Sequence, residues 1–122
     1  MKRILIVEDS TMTRSMIKAV IDDLGDMETT EAASGFEALK ALPTDSFDLI
    51  VTDINMPDIN GLELINFVKN DQRYRDVPLL IISTEKTEED KRRGIEMGAD
   101  DYLTKPFQPE ELQQKLRSLL SL

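Results

Sequence analysis

Short runs of β-branched and aliphatic residues alternate with longer stretches whose apolar positions recur every three or four residues, and the alternation repeats along the whole chain. Ile4 to Val7 is apolar at every position, which predicts a strand buried on both faces. Ile17, Val20, Ile21 and Leu24 then share one helical face, with Gly25 as a stop. Met27 to Ala33 predicts a second, weaker strand. Ser34-Gly35-Phe36-Glu37 has the form of a capping box and opens a short helix that Pro43 closes. Phe47 to Val51 predicts the third strand, and Leu62, Leu64, Ile65 and Val68 mark a helix over Gly61 to Val68. Pro78 to Ile82 predicts the fourth strand, followed by a helix that Thr87-Glu88-Glu89-Asp90 caps and that ends near Gly98. Tyr102-Leu103-Thr104 predicts the fifth strand. Pro109 suits a first helical position, and Leu112, Leu116, Leu119 and Leu120 give the last helix its apolar stripe. Continuous apolar strands alternating with amphipathic helices predict an α/β doubly wound domain, a parallel sheet covered on both faces. The fourth helix stands apart: across Glu88 to Met97 only Ile95 and Met97 are strongly apolar, which predicts loose packing.

At 122 residues the chain is expected to form one domain, 1–122. No apolar run approaches the roughly 20 residues that span a bilayer. Acidic Glu8-Asp9 interrupts the apolar N-terminal run, so it does not read as a signal peptide, and a cytoplasmic location is expected. The chain has no cysteine and no histidine, which removes disulfides, thiolate chemistry, and imidazole as base, metal ligand or phosphocarrier. Its 24 acidic and 15 basic residues leave a net charge of −9, which disfavours direct binding to nucleic acid and makes a cation site easy to build.

In open parallel α/β sheets ligands bind beyond the carboxyl ends of the strands. Glu8-Asp9 follows the first strand, Asp53 the third, Ser83-Thr84 the fourth and Lys105 the fifth. Any one of them has an ordinary explanation as a helix cap, a turn residue or a surface lysine. Their convergence on one edge does not, because clustered carboxylates repel unless a positive charge sits between them. Mg²⁺ suits such a site, since it takes hard oxygen ligands and commonly combines one or two carboxylates with a phosphate oxygen. Asp9 and Asp53 would bind it directly, Glu8 through water, and the backbone carbonyl of Asn55 would complete the protein ligands. Asp53 then becomes a plausible nucleophile for phosphoryl transfer. Mg²⁺, the Lys105 ammonium and the Ser83 hydroxyl would each hold one phosphoryl oxygen. Pro106 would fix the backbone after Lys105, through a cis bond if one forms.

Glu8-Asp9, Asp53 with Met56-Pro57 and Gly61, Ser83, and Lys105-Pro106-Phe107 together resemble the receiver domain of two-component response regulators, the stand-alone chemotaxis type most of all. The resemblance runs from about Lys2 to Leu120. It implies a flavodoxin-like (βα)5 fold with strand order 2-1-3-4-5, and phosphotransfer from a phosphohistidine on a partner kinase to Asp53. Position by position, it implies that Glu8 and Asp9 hold Mg²⁺, that Ser83 is the switch hydroxyl, that Lys105 contacts the phosphoryl group and that Tyr102 is the switch aromatic. Asn55 and Glu85 fall where the family tunes dephosphorylation. Thr84 is bulkier than the Ala or Gly frequent at its position and narrows access. A phosphoryl lifetime of seconds to minutes is expected, with Thr84 pulling toward the longer end. The chain reads as a stand-alone receiver or as part of a longer regulator, signalling to an unknown downstream protein. Its output face would be the fourth helix, fifth strand and fifth helix, carrying Lys91, Arg92, Arg93, Asp100, Asp101, Glu111 and Arg117. The stretch Gly98 to Phe107 also resembles receivers that dimerise on activation.

Three other readings compete. A magnesium phosphohydrolase of the haloacid dehalogenase type would need a general acid two positions after Asp53, where Asn55 stands. A flavodoxin-like cofactor binder could use Ser10, Thr11 and Thr13 as a phosphate cradle, but Glu8-Asp9 would repel the phosphate and no Trp is present to stack on a flavin. A degenerate receiver that only binds protein sits poorly with an intact acidic pair, Asp53, Ser83 and Lys105.

Overall fold

The computed structural model describes residues 1–56, 58–84 and 88–122. Pro57, Glu85 and Thr87, assigned above to a motif, to rate tuning and to a helix cap, lie outside the described residues. Five strands form one parallel sheet: β1 (Lys2–Val7), β2 (Met27–Ala32), β3 (Leu49–Thr52), β4 (Leu79–Thr84) and β5 (Asp101–Lys105). Their order is β2-β1-β3-β4-β5, the flavodoxin-like arrangement that the resemblance implied. Helices α1 (Thr11–Asp23), α2 (Gly35–Ala41), α3 (Gly61–Asn70) and α4 (Glu88–Glu96) make the crossovers, and α5 (Pro109–Leu119) follows the last strand.

Side-chain alternation in the strands splits the core into two layers. Ile4 and Ile6 of β1 face Ile17 and Ile21 of α1 and Leu112 and Leu116 of α5. Leu5 and Val7 face the other way, into the layer that holds Ala38 of α2 and Ile65 and Val68 of α3. Each of the Ile, Leu and Val side chains, fully buried, contributes about 1.5–3 kcal/mol. The element ends follow local chemistry. Gly25 takes φ +114 just after α1, a conformation that L side chains rarely adopt. Pro43 sits in a single 3-10 turn, Leu42–Thr44, so α2 ends at Ala41. The third strand starts at Leu49 rather than Phe47: the Arg3 N–H donates to the Asp48 carboxylate at 2.8 Å instead of to a backbone carbonyl of the neighbouring strand.

The fourth helix departs from expectation in one respect. Its buried residues are Lys91 and Gly94, not its aliphatic ones, and Ile95 is 38% exposed. Lys91, read above as part of a charged outer face, is only 2% exposed. Gly94 eases the close approach, since a Cβ there would lie 2.5 Å from Ile81 Cδ1 and push that methyl aside. The Lys91 stem covers the sheet while its ammonium donates to Thr104 Oγ1 and pairs with Glu88 Oε2, both at 2.8 Å. Among the described residues no helix is long and apolar enough to cross a membrane.

Packing by the Lys91 stem, more than its charge, is therefore expected to carry its contribution to stability. Lys91→Ala should cost about 1–3 kcal/mol in urea unfolding, while Lys91→Met, which keeps the stem and drops the charge, should stay within about 1 kcal/mol of the parent. Equal losses in the two variants would assign the stability to the ammonium instead.

Candidate functional site

The strand register brings the chemistry together. Val7 pairs with Ala32 and with Thr52, so β1, β2 and β3 end level. The ladder runs one bond further on each side: the Glu8 N–H donates to the Ala32 carbonyl at 2.9 Å and the Asp53 N–H to the Val7 carbonyl at 3.0 Å. Those bonds hold Glu8 and Asp53 side by side at the carboxyl edge. Glu8 and Asp53 are buried, whereas Asp9 is exposed. One carboxylate oxygen from each of Glu8, Asp9 and Asp53 lies within 4.8 Å of the others.

Lys105 closes the cluster from β5. Its Nζ donates to Glu8 Oε1 at 2.6 Å and to Asp53 Oδ2 at 3.0 Å. The other Glu8 oxygen accepts the Ser10 N–H at 2.9 Å. Asp53 Oδ1 accepts the Ile54 N–H at 2.7 Å and the Asn55 N–H at 3.3 Å. Burial pushes the Glu8 carboxyl above its ordinary pKa, and the hydrogen bond from Lys105 offsets this only in part. Burial also works against the Lys105 charge, but its bonds to Glu8 and Asp53 outweigh that and hold its pKa above the usual lysine value. Three carboxylates against one ammonium leave the ionised cluster two charges negative, which a single divalent cation balances. The donors are all hard oxygens and the chain has no His or Cys, so the residues fit Mg²⁺.

Ser83 is fully buried at the end of β4, and its hydroxyl has no hydrogen-bond partner among the described residues. Thr84, exposed, lies opposite Lys105 in the β4–β5 register and lines a groove of about 360 Å³ with Thr13, Met16, Lys105, Pro106 and Phe107. The Lys105–Pro106 peptide bond is cis. Gly61 sits against the site, where a Cβ would collide with the Asp53 carbonyl oxygen and lie 2.6 Å from Ile54 Cα. Tyr102 is 40% exposed and points outward, with Lys91 Nζ 4.9 Å from its ring centre.

Sequence reasoning missed two supports. Arg14 Nη1 donates to the Glu8 carbonyl at 2.8 Å while its Nε holds Glu31 of β2 at 2.9 Å. The Asp58 carboxylate accepts the Gly35 N–H at 3.1 Å and the Phe36 N–H at 2.9 Å. No local pattern signals either one, because the partners lie 6 to 23 positions away. The phosphate cradle imagined at Ser10 has another use: the Ser10 hydroxyl caps α1, accepting the Thr13 N–H at 3.3 Å.

Residues 4–117 match the family model of the response regulator receiver domain. The chain belongs to that family. It is 34% identical over 119 residues to chemotaxis protein CheY1 of Helicobacter pylori, covering 97% of this chain and 96% of the relative. Its fold superposes on the chemotaxis response regulator CheY4 of Vibrio cholerae with a TM-score of 0.90 at 38% identity, covering 98% of this chain and 99% of that one. It also superposes on the receiver domain of sensor histidine kinase PA1611 from Pseudomonas aeruginosa, with TM-score 0.88, 27% identity and coverage of 99% and 98%. That structure has a magnesium ion coordinated in its active site cleft. The chain is thus a receiver domain of two-component signalling, similar to stand-alone chemotaxis receivers.

The raised Glu8 pKa has a direction that can be measured. Above the ordinary carboxylate value of 4.5, ionised Glu8 costs the metal-free fold stability, and the cost disappears as falling pH protonates it in the folded and unfolded states alike. Glu8→Gln should therefore raise Tm by about 2–5 °C at neutral pH without Mg²⁺, and give no gain near about pH 4. A lower Tm at neutral pH would show that the Lys105 pair dominates over burial.

Proposed function

We propose that Asp53 accepts a phosphoryl group from the phosphohistidine of a partner kinase, with Mg²⁺ as cofactor, and that residues 1–122 act as one switch domain. The observation that carries this reading is the meeting of Glu8, Asp9 and Asp53 within 4.8 Å, with Lys105 bridging two of them. An Asp53 carboxylate oxygen forms the new P–O bond as the P–N bond of the phosphohistidine breaks, and the imidazole leaves with the electron pair. Glu8, Asp9, Asp53 and the Asn55 carbonyl would hold Mg²⁺, which supplies charge neutralisation for the phosphoryl oxygens. Lys105 moves its ammonium onto one of those oxygens, away from Glu8. The orphaned Ser83 hydroxyl donates to another, which gives a buried polar group the partner it otherwise lacks. Exposed Met16 of α1, which lines the groove at Lys105, and exposed Met12 one turn before it offer the kinase a deformable apolar contact. Water attack on the same phosphorus returns Asp53, so the chain catalyses only its own modification and reversal; Asn55, Thr84 and Glu85 tune that step.

The α4–β5–α5 face carries the output, with Ser83 and Tyr102 as its internal switch. Five charges of that face already have partners within the chain. Lys91 is tied to Thr104, Arg93 to Asp90, Asp100 to the Leu79 N–H, Asp101 to Lys115 and Glu111 to the Gln108 N–H. A second copy of this chain would have to dock through Arg92, Arg117 and exposed Tyr102.

Mass measurement after incubation with Mg²⁺ and acetyl phosphate, or with a phosphorylated histidine kinase, is expected to show one phosphoryl group per chain, absent in Asp53→Asn. Steady turnover of a phosphate ester would favour the phosphohydrolase instead, and partner binding with no adduct the degenerate module. Sedimentation with beryllofluoride, a phosphoryl mimic, is expected to shift the chain toward a dimer; an unchanged monomer makes the downstream partner a different protein.

A further inference from the structure

The loop from Asp53 to Asn60 carries both the proposed phosphoacceptor and the proposed carbonyl ligand of Asn55, and it is pinned at two points. One pin is Gly61, whose N–H donates to the Ile54 carbonyl at 2.8 Å and whose missing Cβ lets the chain press on Asp53. The other is Asp58, three residues beyond Asn55. Its two oxygens take the first two N–H groups of α2, those of Gly35 and Phe36, at 3.1 and 2.9 Å. Ser34, the local cap, takes only the third, that of Glu37, at 3.2 Å. The loop is flush with the helix there, because a Cβ on Gly35 would lie 2.6 Å from Ile59 Cβ. A helix end that needs a carboxylate from 22 and 23 positions away is joined to whatever that carboxylate's loop does.

We propose that Asp58 is a positioning residue for the acidic site: by clamping the β3–α3 loop to the first turn of α2, it sets the Asn55 carbonyl for the metal. The inference rests on the phosphoacceptor reading above. Mg²⁺ demands near-ideal octahedral geometry, so a carbonyl ligand on an unclamped loop must first be ordered at a cost to affinity. The clamp holds wherever the switch is assayed. Hydrogen bonds from the helix, that of the Phe36 N–H foremost, keep the Asp58 carboxyl ionised down to about 2. Outer contacts of this kind commonly change metal affinity by about ten-fold or more; a loop carbonyl, one ligand of several, should lie at the lower end.

The test compares Asp58→Ala, Asp58→Asn and Ser34→Ala in the full chain. Calorimetry gives Mg²⁺ affinity without a phosphodonor, and acetyl phosphate gives the rate of adduct formation across Mg²⁺ concentrations. Asp58→Ala should raise the Mg²⁺ half-saturation by about three- to ten-fold while the rate at saturating Mg²⁺ stays at the parent value. Asp58→Asn, which keeps one acceptor oxygen, should fall between them and covers the case in which the alanine variant does not fold. Ser34→Ala frays the same helix but leaves the clamp, so its Mg²⁺ dependence should match the parent. Parent-like Mg²⁺ dependence in both Asp58 variants overturns the inference while leaving Asp53 as phosphoacceptor, and so does an equal shift in Ser34→Ala. A parent protein that takes no phosphoryl group at any Mg²⁺ concentration overturns the underlying reading, and this inference with it.

Discussion

The Lys105 ammonium lies 2.6 Å from Glu8 and 3.0 Å from Asp53, and without it two buried carboxylates would face each other across the end of a dry sheet. Two like charges about 4 Å apart repel by about 4 kcal/mol at an effective dielectric of 20, which is a large share of a small domain's stability. One cation therefore makes the acidic edge tolerable, and it ties β5 to β1 and β3 across separations of 97 and 52 residues. It does not neutralise the edge. Glu8 still sits above its ordinary pKa, and Asp9 has no share of the ammonium among the bonds described. The same arrangement that keeps the fold intact leaves it with an appetite for a divalent cation.

Most of this was legible from residues alone, for a simple physical reason. Strands buried on both faces are largely apolar, so the polar residues that follow each run mark where the strand leaves the core. Glu8-Asp9, Asp53, Ser83-Thr84 and Lys105 announce the sheet edge in that way, and parallel topology then places them together. Supports reached by tertiary contact left no such mark. Arg14 and Asp58 serve the site through backbone groups, and neither residue differs in pattern from a solvated charge. Lys91 differs for a related reason: a lysine on a polar helix reads as exposed, and its burial follows from the close approach of α4 to the sheet beside Gly94.

That misreading matters for how the two ends of the switch communicate. Ser83 and Thr104 face each other in the β4–β5 register. Thr104 accepts a hydrogen bond from Lys91, and the same ammonium lies 4.9 Å from the centre of the Tyr102 ring. Two polar contacts thus run from the register neighbour of Ser83 to the exposed aromatic, while the Ser83 hydroxyl itself makes no hydrogen bond to Thr104. On the proposed reading, a shift of Ser83 reaches Thr104 through strand packing, and an ammonium that follows Thr104 moves relative to the face of Tyr102.

The two ends of the domain are held by opposite strategies. At the site, Glu8 and Asp53 directly follow strands locked in the core, and the adjoining segments are fastened by Arg14 and Asp58, so the chemistry has little freedom. On α4 the inward face is a lysine and a glycine, so its apolar burial is mainly that of the Lys91 stem. The direction of that stem is set by polar contacts, made through Thr104 and Glu88. Polar attachments exchange partners at small net cost, since one hydrogen bond replaces another. On the proposed reading, Asp53 is thus a fixed input rather than a moving part, and the residues that would rearrange around it are Lys105, Ser83 and, through Thr104, Lys91.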